Sequence, residues 1–399
     1  MKKYKVILFQ KYIRSFVTNF FKHLNSFEFT LEHKEESTAQ LYKRLNDFNN
    51  EINRVKTTPL LKLRRILGIP NVRIKFSGKG DFLFTYGCLV FGNKPYCIYS
   101  ETGLSIYNYD RAIADNPIAR TIASFLIRRK KLKKIIFLSE AAQKSFLSSV
   151  KYSSRTKKIF ERKSVYCYPL MEAQDYSIKK YSGGLKLLFI GTFYIKGGNE
   201  LVTAFRRLKE IHRNIHLTII TSLGVMRQSD VKKIKEIEGI QLFDAKFTKD
   251  ELDKLYKTHD IFIMPTYRDG FGLVWIEALS HAMPIIGTNQ FATGEFCINS
   301  HNGFMYPNHP LQDYNNETFE IYGKYYNPKD FYTALFKLQK EGKMRPVEDF
   351  LCDSIERFIR NPGLLEEFSK NSAGLYNKKF HPDVISERIE SIFLEAMEK

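Results

Sequence analysis

Cysteine is scarce in this chain of 399 residues and is not spaced for metal binding or for disulfide bonds. Cys88, Cys97, Cys167, Cys297 and Cys352 are odd in number, and no two of them form a Cys-x-x-Cys pair. This set argues against a disulfide-bonded scaffold and against a zinc site, and it favours a reducing compartment.

Long apolar runs are also lacking. No stretch approaches the roughly eighteen apolar residues that a membrane-spanning helix needs. The N-terminal MKKYKVILFQKYIR contains an apolar run of only four residues, which is short for a signal peptide. We therefore expect a cytoplasmic protein, and a peripheral position at the inner membrane face stays open.

Acidic residues are few in the first 180 residues. This part has 35 Lys and Arg against 14 Asp and Glu, so it carries the whole of the net charge of +20. Such an excess attracts polyanions, for example an anionic lipid surface, an acidic glycan or nucleic acid. The alternative is a solvated basic surface in an organism whose proteins are rich in lysine.

The length and composition predict a globular protein of two domains. Hydrophobic residues make up 43% of the chain and aromatic residues 14%, and 399 residues exceed one ordinary core. The charge imbalance ends within the polar segment 171–184. We therefore predict one domain over residues 1–180 and a second over residues 181–380.

The stretch from Asp260 to Pro307 predicts a βαβ unit. A short apolar run is followed by a polar turn with two glycines, an apolar segment of helical period and a second apolar run. These pieces are Ile261–Met264, Asp269–Gly272, Leu273–Ala282 and Pro284–Gly287.

The glycine turn of this unit predicts a site for a phosphate or a sugar. Gly270 and Gly272 permit close approach to the backbone. The predicted helix begins near Phe271, and its first backbone N–H groups, up to about Leu273, have no partner within the helix. They lie at the positive end of the helix dipole, which favours an anion.

Two carboxylates, Asp269 and Glu277, flank the turn. On spacing alone, Glu277 could also be a solvated acid on the surface of a helix. The segment DGFGLVWIEAL, however, resembles the acidic, seven-residue, acidic motif of retaining glycosyltransferases of family 4. Three further elements of that family follow in order, and they are Pro284–Ile286, Thr293–Glu295 and Asn302–Gly303.

The resemblance implies the GT-B fold, an α/β architecture of two Rossmann-like, doubly wound domains that face each other across a cleft. It implies that the C-terminal domain binds a nucleotide-sugar as co-substrate, with a UDP-sugar favoured, and that no cofactor is needed. The first domain would bind a glycan, lipid-linked or other anionic acceptor. Residues 381–399 would form a helix that crosses back to the first domain.

The same resemblance assigns roles to the residues of the motif. Glu277 would bind the ribose hydroxyls, and Asp269 with the amides from Gly270 to Leu273 would bind the sugar. Lys196, which precedes two glycines after a predicted strand, would bind the diphosphate. The alternative for Lys196 is an exposed loop lysine.

Four further positions follow from the family pattern. Thr192 stands where an arginine is usual, and Arg268 could supply the missing charge. Ser222 would border the base. Glu101 lies six residues after Pro95, where a histidine that reaches the sugar is common. It would contact the sugar or position an acceptor hydroxyl, or it is an acid at a strand end with no function.

No Asp-x-Asp pair follows a strand, so we expect no metal site and activity in the presence of a chelator. Retention of the anomeric configuration is implied by the family. One alternative is a DNA-modifying GT-B glucosyltransferase, whose duplex would meet the basic part of the chain. The other is a non-catalytic GT-B-like binding subunit, suggested by Thr192, by Asp269 and by Gln10-Lys11 where a glycine turn is usual.

Overall fold

The structure is a computed structural model. It describes residues 4–8, 19–20, 23–31, 59–76, 80–307, 309–324 and 328–398. Residues 10 and 11, where the family pattern has a glycine turn, lie outside this part. The chain divides into two compact units. The first combines residues 1–172, 313–331 and 382–399, and the second combines residues 173–312 and 332–381.

The first unit is built on parallel strands. Their bounds are β1 Tyr4–Leu8, β2 Phe27–Leu31, β3 Val72–Lys75, β4 Phe82–Tyr86, β5 Leu89–Gly92, β6 Tyr96–Ser100, β7 Leu132–Phe137 and β8 Ser164–Tyr166. Six of them form one sheet in the order β2-β1-β4-β6-β7-β8, while β3 and β5 pair in a separate small sheet. Both sheets are wholly parallel.

Helices connect these strands, and most of them begin at a residue suited to cap a helix. Their bounds are α1 Pro59–Leu67, α2 Arg111–Asp115, α3 Pro117–Arg128, α4 Glu140–Ser149 and α5 Ser154–Lys163. The Asn116 side chain accepts from the Ile118 amide at the start of α3, where Pro117 already has the backbone angle of a helix. Ser139 and Ser153 cap the next two helices in the same way.

The helix Pro382–Glu398 also belongs to the first unit. The ring of Phe393, fully buried, lies 5.4 Å from Phe27, 6.0 Å from Phe82 and 5.5 Å from Phe84, measured between ring centroids. Glu395 accepts from Lys134 on β7 at 2.8 Å. The end of the described chain therefore completes the core around the first strands.

The second unit contains a six-stranded parallel sheet. Its strands are β9 Leu185–Ile190, β10 Ile215–Thr221, β11 Ile240–Asp244, β12 Ile261–Met264, β13 Ile285–Thr288 and β14 Gly303–Tyr306. Their order is β11-β10-β9-β12-β13-β14, so the direction of winding reverses between β9 and β12. Strands β12 and β13 are buried along their whole length, which explains why they contain no charged residue.

Helices surround this second sheet. They are α6 Gly198–Ile211, α7 Gln228–Lys235, α8 Lys249–Thr258, α9 Leu273–Ser280, α10 Pro328–Lys340, α11 Arg345–Arg360 and α12 Gly363–Lys379; the C-terminal helix Pro382–Glu398 of the first unit is α13. Within the described residues, none of the helices has the length and apolar character needed to cross a membrane.

The predicted βαβ unit is confirmed. Strand β12 has the predicted bounds, and β13 is shifted by one residue. Helix α9 ends at Ser280, two residues earlier than the apolar period predicts, because the chain turns there and Ala282 takes a left-handed backbone conformation with φ 55°. Residues 167–182 of the segment between the sheets contain neither helix nor strand.

Candidate functional site

The reversal of winding in the second sheet places β9 and β12 side by side. In open α/β sheets, ligands bind beyond the carboxyl ends of the strands at such a point. The turn after β9, residues 191–197, and the turn after β12, residues 265–272, both leave the sheet there. The Tyr267 amide donates to the Ile195 carbonyl at 3.0 Å, so the two turns are joined.

Lys196 and Asp269 form an ion pair across these turns. The Lys196 Nζ lies 2.7 Å from Asp269 Oδ2 and also donates to the Arg268 carbonyl at 3.0 Å. The two side chains are only 17% and 9% exposed. Lys196 is therefore not a freely solvated loop lysine, and three predicted residues lie together.

Two glycines make this close approach possible. Gly197 has φ 76°, and a Cβ there would lie 2.2 Å from the Pro265 carbonyl oxygen of the facing turn. Gly272 has φ 77°, and a Cβ added there would lie 2.5 Å from Asp269 Oδ2. A larger residue at either position would both strain the backbone and separate the groups of the site.

The start of α9 lies directly beside the ion pair. Gly272 is the residue before the helix, and the Phe271 amide donates to Asp269 Oδ1 at 3.3 Å. The Phe271 side chain is buried against Phe296, with ring centroids 5.0 Å apart, so only its backbone can serve a ligand. Gly270 is exposed and Leu273 half-buried.

Glu277 is the fifth residue of α9, about 6 Å along the helix axis from its start. The Tyr256 hydroxyl donates to Glu277 Oε2 at 2.7 Å. Burial raises the pKa of Glu277, and the hydrogen bond from Tyr256 offsets this only in part. Glu277 is half-buried and held by the Tyr256 hydroxyl, so it is not a freely solvated surface acid.

Sequence reasoning missed the residues that hold Glu277 and its helix. Tyr256 on α8 stacks on His281 with ring centroids 5.0 Å apart, and His281 Nε2 lies 2.7 Å from Asp253 Oδ1. His281 follows Glu277 by four positions, a helical spacing that could have indicated a shared face. Tyr256 and Asp253 lie on a different helix, and no local pattern relates them to Glu277.

Thr192, Ser222 and Arg268 lie in turns of the same unit. The Thr192 carbonyl accepts from the Lys196 amide at 2.9 Å, which shapes the turn after β9. Ser222 follows β10, and its carbonyl accepts from the Val225 amide at 3.3 Å. Burial raises the pKa of Tyr332 on α10, and the positive charge of Arg268 offsets this only in part.

Glu101 belongs to the first unit, whereas all the other predicted site residues belong to the second. It follows β6, and its carboxylate accepts hydrogen bonds from the hydroxyls of Tyr86 and Tyr109, the latter at 2.9 Å. Two phenol groups thus fix the orientation of this carboxylate. Within the described residues, no group of three His, Cys, Asp or Glu side chains is arranged to hold a metal ion.

Solved GT-B structures resemble this chain along most of its length. Anabaena HepE in complex with UDP-glucose has a TM-score of 0.56 and 11% identity, and the match covers 98% of each chain. The pneumococcal O-GlcNAc transferase GtfA in complex with UDP and GlcNAc has a TM-score of 0.50 and 13% identity, over 79% of this chain and 57% of that one. The chain thus has the GT-B fold, α/β with two Rossmann-like domains, as predicted.

Residues 184–322 match the family model described as "Glycosyl transferases group 1". The Staphylococcus aureus capsular polysaccharide biosynthesis glycosyltransferase CapM is 23% identical over 201 residues, which are 50% of this chain and 42% of that protein. The D-inositol 3-phosphate glycosyltransferase of Arthrobacter sp. (strain FB24) is 26% identical over 139 residues, 33% of each chain. The chain thus spans less than half the length of these relatives. The residues matched by the family model include both turns and α9.

Proposed function

We propose that the protein is a retaining glycosyltransferase of family 4. It transfers a hexosyl group from a nucleotide-sugar, with a UDP-sugar favoured, to a glycan, lipid-linked or other anionic acceptor in polysaccharide or glycoconjugate synthesis. The observation that carries this proposal is the Lys196–Asp269 pair at the reversal point of the second sheet, beside the start of α9. The group 1 match and the nucleotide-sugar complexes of GT-B proteins support it.

Lys196 is suited to bind the diphosphate of the donor. Its ammonium group can exchange the Asp269 carboxylate for a phosphate oxygen, which is also anionic. A cation at this place stabilises the charge that develops on the departing nucleoside diphosphate. Arg268 and the first amides of α9 add positive potential, and Thr192 lies in the same turn as Lys196.

Asp269 and Glu277 are suited to bind hydroxyl groups. A carboxylate can accept from two neighbouring hydroxyls, so Glu277 would bind the ribose hydroxyls. The hydrogen bond from the Tyr256 hydroxyl to Glu277 Oε2 would hold the carboxylate in place. Asp269, with the backbone from Gly270 to Leu273, would bind the sugar. Ser222 would border the base, and Glu101 would position an acceptor hydroxyl with Tyr86 and Tyr109 holding its carboxylate.

Retention and independence of metal are parts of the same proposal. The helix start and Lys196 supply positive charge to the diphosphate without a divalent ion. We expect turnover to continue in EDTA, and complete loss there would contradict this point. The anomeric configuration of the product, measured by NMR, tests retention.

The decisive experiment compares Lys196→Ala with Lys186→Ala. Lys186 is an exposed lysine on β9 of the same unit, so its substitution controls for a loss of charge alone. With a panel of nucleotide-sugars, Lys196→Ala should lower kcat for transfer or donor hydrolysis by roughly 10²-fold or more, while Lys186→Ala stays near wild type. Equal turnover of the two variants would contradict the proposal.

The same assay separates the alternatives. A non-catalytic binding subunit would show no hydrolysis or transfer with any nucleotide-sugar. A DNA-modifying enzyme, which the basic first part of the chain would suit, would bind duplex DNA at low salt and glucosylate it. A peripheral position at the inner membrane face would bring a lipid-linked acceptor to the enzyme.

A further inference from the structure

The small sheet of β3 and β5 and the helix α3 expose large apolar side chains. The five residues concerned are between 38% and 68% exposed, and they are Ile74, Phe76, Phe91, Ile118 and Phe125. Single exposed apolar residues are common on soluble proteins, but contiguous ones indicate a contact surface.

Contacts connect four of them, Ile74, Phe76, Phe91 and Phe125, into one surface. Ile74 and Phe91 are direct partners in the register of β3 and β5. The Phe76 and Phe91 rings meet edge to face with centroids 5.7 Å apart. The Arg129 guanidinium lies 5.1 Å from the Phe91 centroid and 6.0 Å from that of Phe125, and so it joins the sheet to α3.

Ile118 extends this surface along α3. It precedes Phe125 by seven positions, which places the two side chains on one face of the helix. The opposite face, with Ala119, Ala123 and Leu126, is buried in the unit. We call the six residues Ile74, Phe76, Phe91, Ile118, Phe125 and Arg129 the aromatic–basic surface.

The segments that carry this surface have charges of one sign. Residues 72–76, 89–94 and 117–131 contain eight Lys and Arg and no Asp or Glu. Arg128 and Lys130, which adjoin Arg129, are exposed. The partner must therefore offer anions and an apolar layer within a few ångströms of each other.

We infer that the aromatic–basic surface docks on an anionic lipid bilayer. The phenylalanine rings and isoleucines would enter the region between the head groups, and Arg128, Lys130 and their neighbours would contact lipid phosphates. A nucleic acid would match the charges but would leave the two isoleucines in water. The inference extends the proposed function by naming the surface that brings the enzyme to a lipid-linked acceptor, while binding to vesicles needs no donor.

Co-sedimentation of the full chain with vesicles tests the inference. Phosphatidylcholine vesicles with phosphatidylglycerol should retain the protein, and vesicles of phosphatidylcholine alone should retain much less. The double variant Phe76→Ser/Phe125→Ser should lower the partition coefficient by roughly tenfold or more. Arg128→Glu/Lys130→Glu should also lower the partition coefficient. The decrease should be larger at low salt than at high salt, because salt screens the attraction between the protein and the lipid.

Matched substitutions in the second unit serve as controls. Ile211 is 70% exposed at the end of α6, and Lys232 and Lys235 are exposed on α7. Ile211→Ser and Lys232→Glu/Lys235→Glu should leave vesicle binding near wild type. All substituted side chains are exposed or half-exposed, and thermal unfolding confirms that each variant is folded.

Fluorescence separates insertion from charge attraction. The chain has one tryptophan, Trp275, which is fully buried in the second unit. In Phe125→Trp, emission should shift to the blue and be quenched by brominated lipid when anionic vesicles are added. An unshifted emission, or unchanged binding of the phenylalanine double variant, overturns the inference.

Two further outcomes decide the matter. Equal binding to neutral and anionic vesicles overturns it, as does duplex DNA binding that exceeds vesicle binding and does not depend on Phe76 or Phe125. Hydrolysis of the donor in the absence of vesicles tests the proposed function separately. A protein active on its donor but indifferent to vesicles would refute only the membrane inference.

Discussion

Lys196 and Asp269 neutralise each other at the place where an anionic ligand is expected. Each is largely buried, so the pair limits the approach of solvent to both groups. A diphosphate that binds Lys196 must therefore compete with a carboxylate already in contact. Under the proposed function, this competition would set the affinity of the site for the diphosphate.

We expect Asp269→Asn to bind UDP more tightly than wild type and to transfer sugar more slowly. The substitution keeps the shape of the side chain but removes the competing charge, which is worth about 1 kcal/mol, or roughly fivefold in Kd. Calorimetric titration with UDP measures the first effect. Asp250→Asn, at an exposed position of α8, is the control, and weaker UDP binding by Asp269→Asn would contradict the expectation.

Glu277→Gln should stabilise the protein near neutral pH while it impairs turnover. A carboxyl whose folded pKa is raised above its ordinary 4.5 costs stability when it ionises, so the cost is present above that pH and vanishes below it. Glutamine can still accept from Tyr256, and we expect a Tm higher by about 2–4 °C.

The pH dependence of this Tm difference tests whether the burial of the Glu277 charge is its cause. The difference in Tm between Glu277→Gln and wild type should shrink as the pH falls towards 4.5. Glu236→Gln, at an exposed acid of the same unit, is the control. A difference that is constant with pH would show that burial of the charge is not its source.

The resemblance of short sequence motifs to family 4 glycosyltransferases is what singled out Lys196, Asp269 and Glu277 as predicted site residues, and their roles stay predictions. The sequence could not show that Lys196 and Asp269 contact each other, because they are far apart in the chain; Arg268, next to Asp269, follows Lys196 by 72 positions. Tyr256 was missed for the same reason. Contacts between turns depend on strand order, which single-sequence patterns do not contain.

At the scale of elements, the turn after β9 and the turn after β12 act as one piece. Gly197 shows this most directly, because its missing Cβ is what allows the Pro265 carbonyl to approach. The predicted bounds of β12 and β13 were accurate to one residue, since buried parallel strands have apolar runs, whereas α9 ends two residues earlier than predicted. Strand β5 and its pairing with β3 were not predicted, because its four residues carry too little pattern.

Gly197→Ala should separate the two turns and lower turnover by roughly 10²-fold, since small displacements of positioned groups are costly. Gly342→Ala is a matched control. Gly342 has a similar φ of 68°, but nothing lies within 4 Å of its added Cβ. Both substitutions incur a backbone cost of about 1 kcal/mol, while only the first should affect the donor assay. Equal activities would mean that the contact of the turns is unimportant.

At the scale of the whole molecule, the first unit draws on distant parts of the sequence. Residues 313–331 and the helix α13 belong to the same unit as residues 1–172. Arg111, for example, donates to the Ile321 carbonyl at 2.7 Å. The resemblance implied the return of the C-terminal helix, but a boundary placed on charge and linker composition cannot show the return of residues 313–331, because it adds no local signal.

Phe393→Ala should destabilise the first unit by about 3–5 kcal/mol, because the side chain is fully buried among Phe27, Phe82 and Phe84. Urea unfolding followed by circular dichroism measures the change. Phe243→Ala, at a ring 39% exposed in the second unit, should cost much less. Similar losses in the two variants would contradict the central place of Phe393.

The order in which a ribosome delivers these parts has its own consequence. The strands β1, β2 and β4 emerge early, yet Phe393, which seals them, is added more than 300 residues later. The second unit has all its segments by residue 381, before α13 exists. A nascent chain therefore holds an incomplete aromatic layer for most of its synthesis, a period in which chaperones that shield apolar surface have the most to protect.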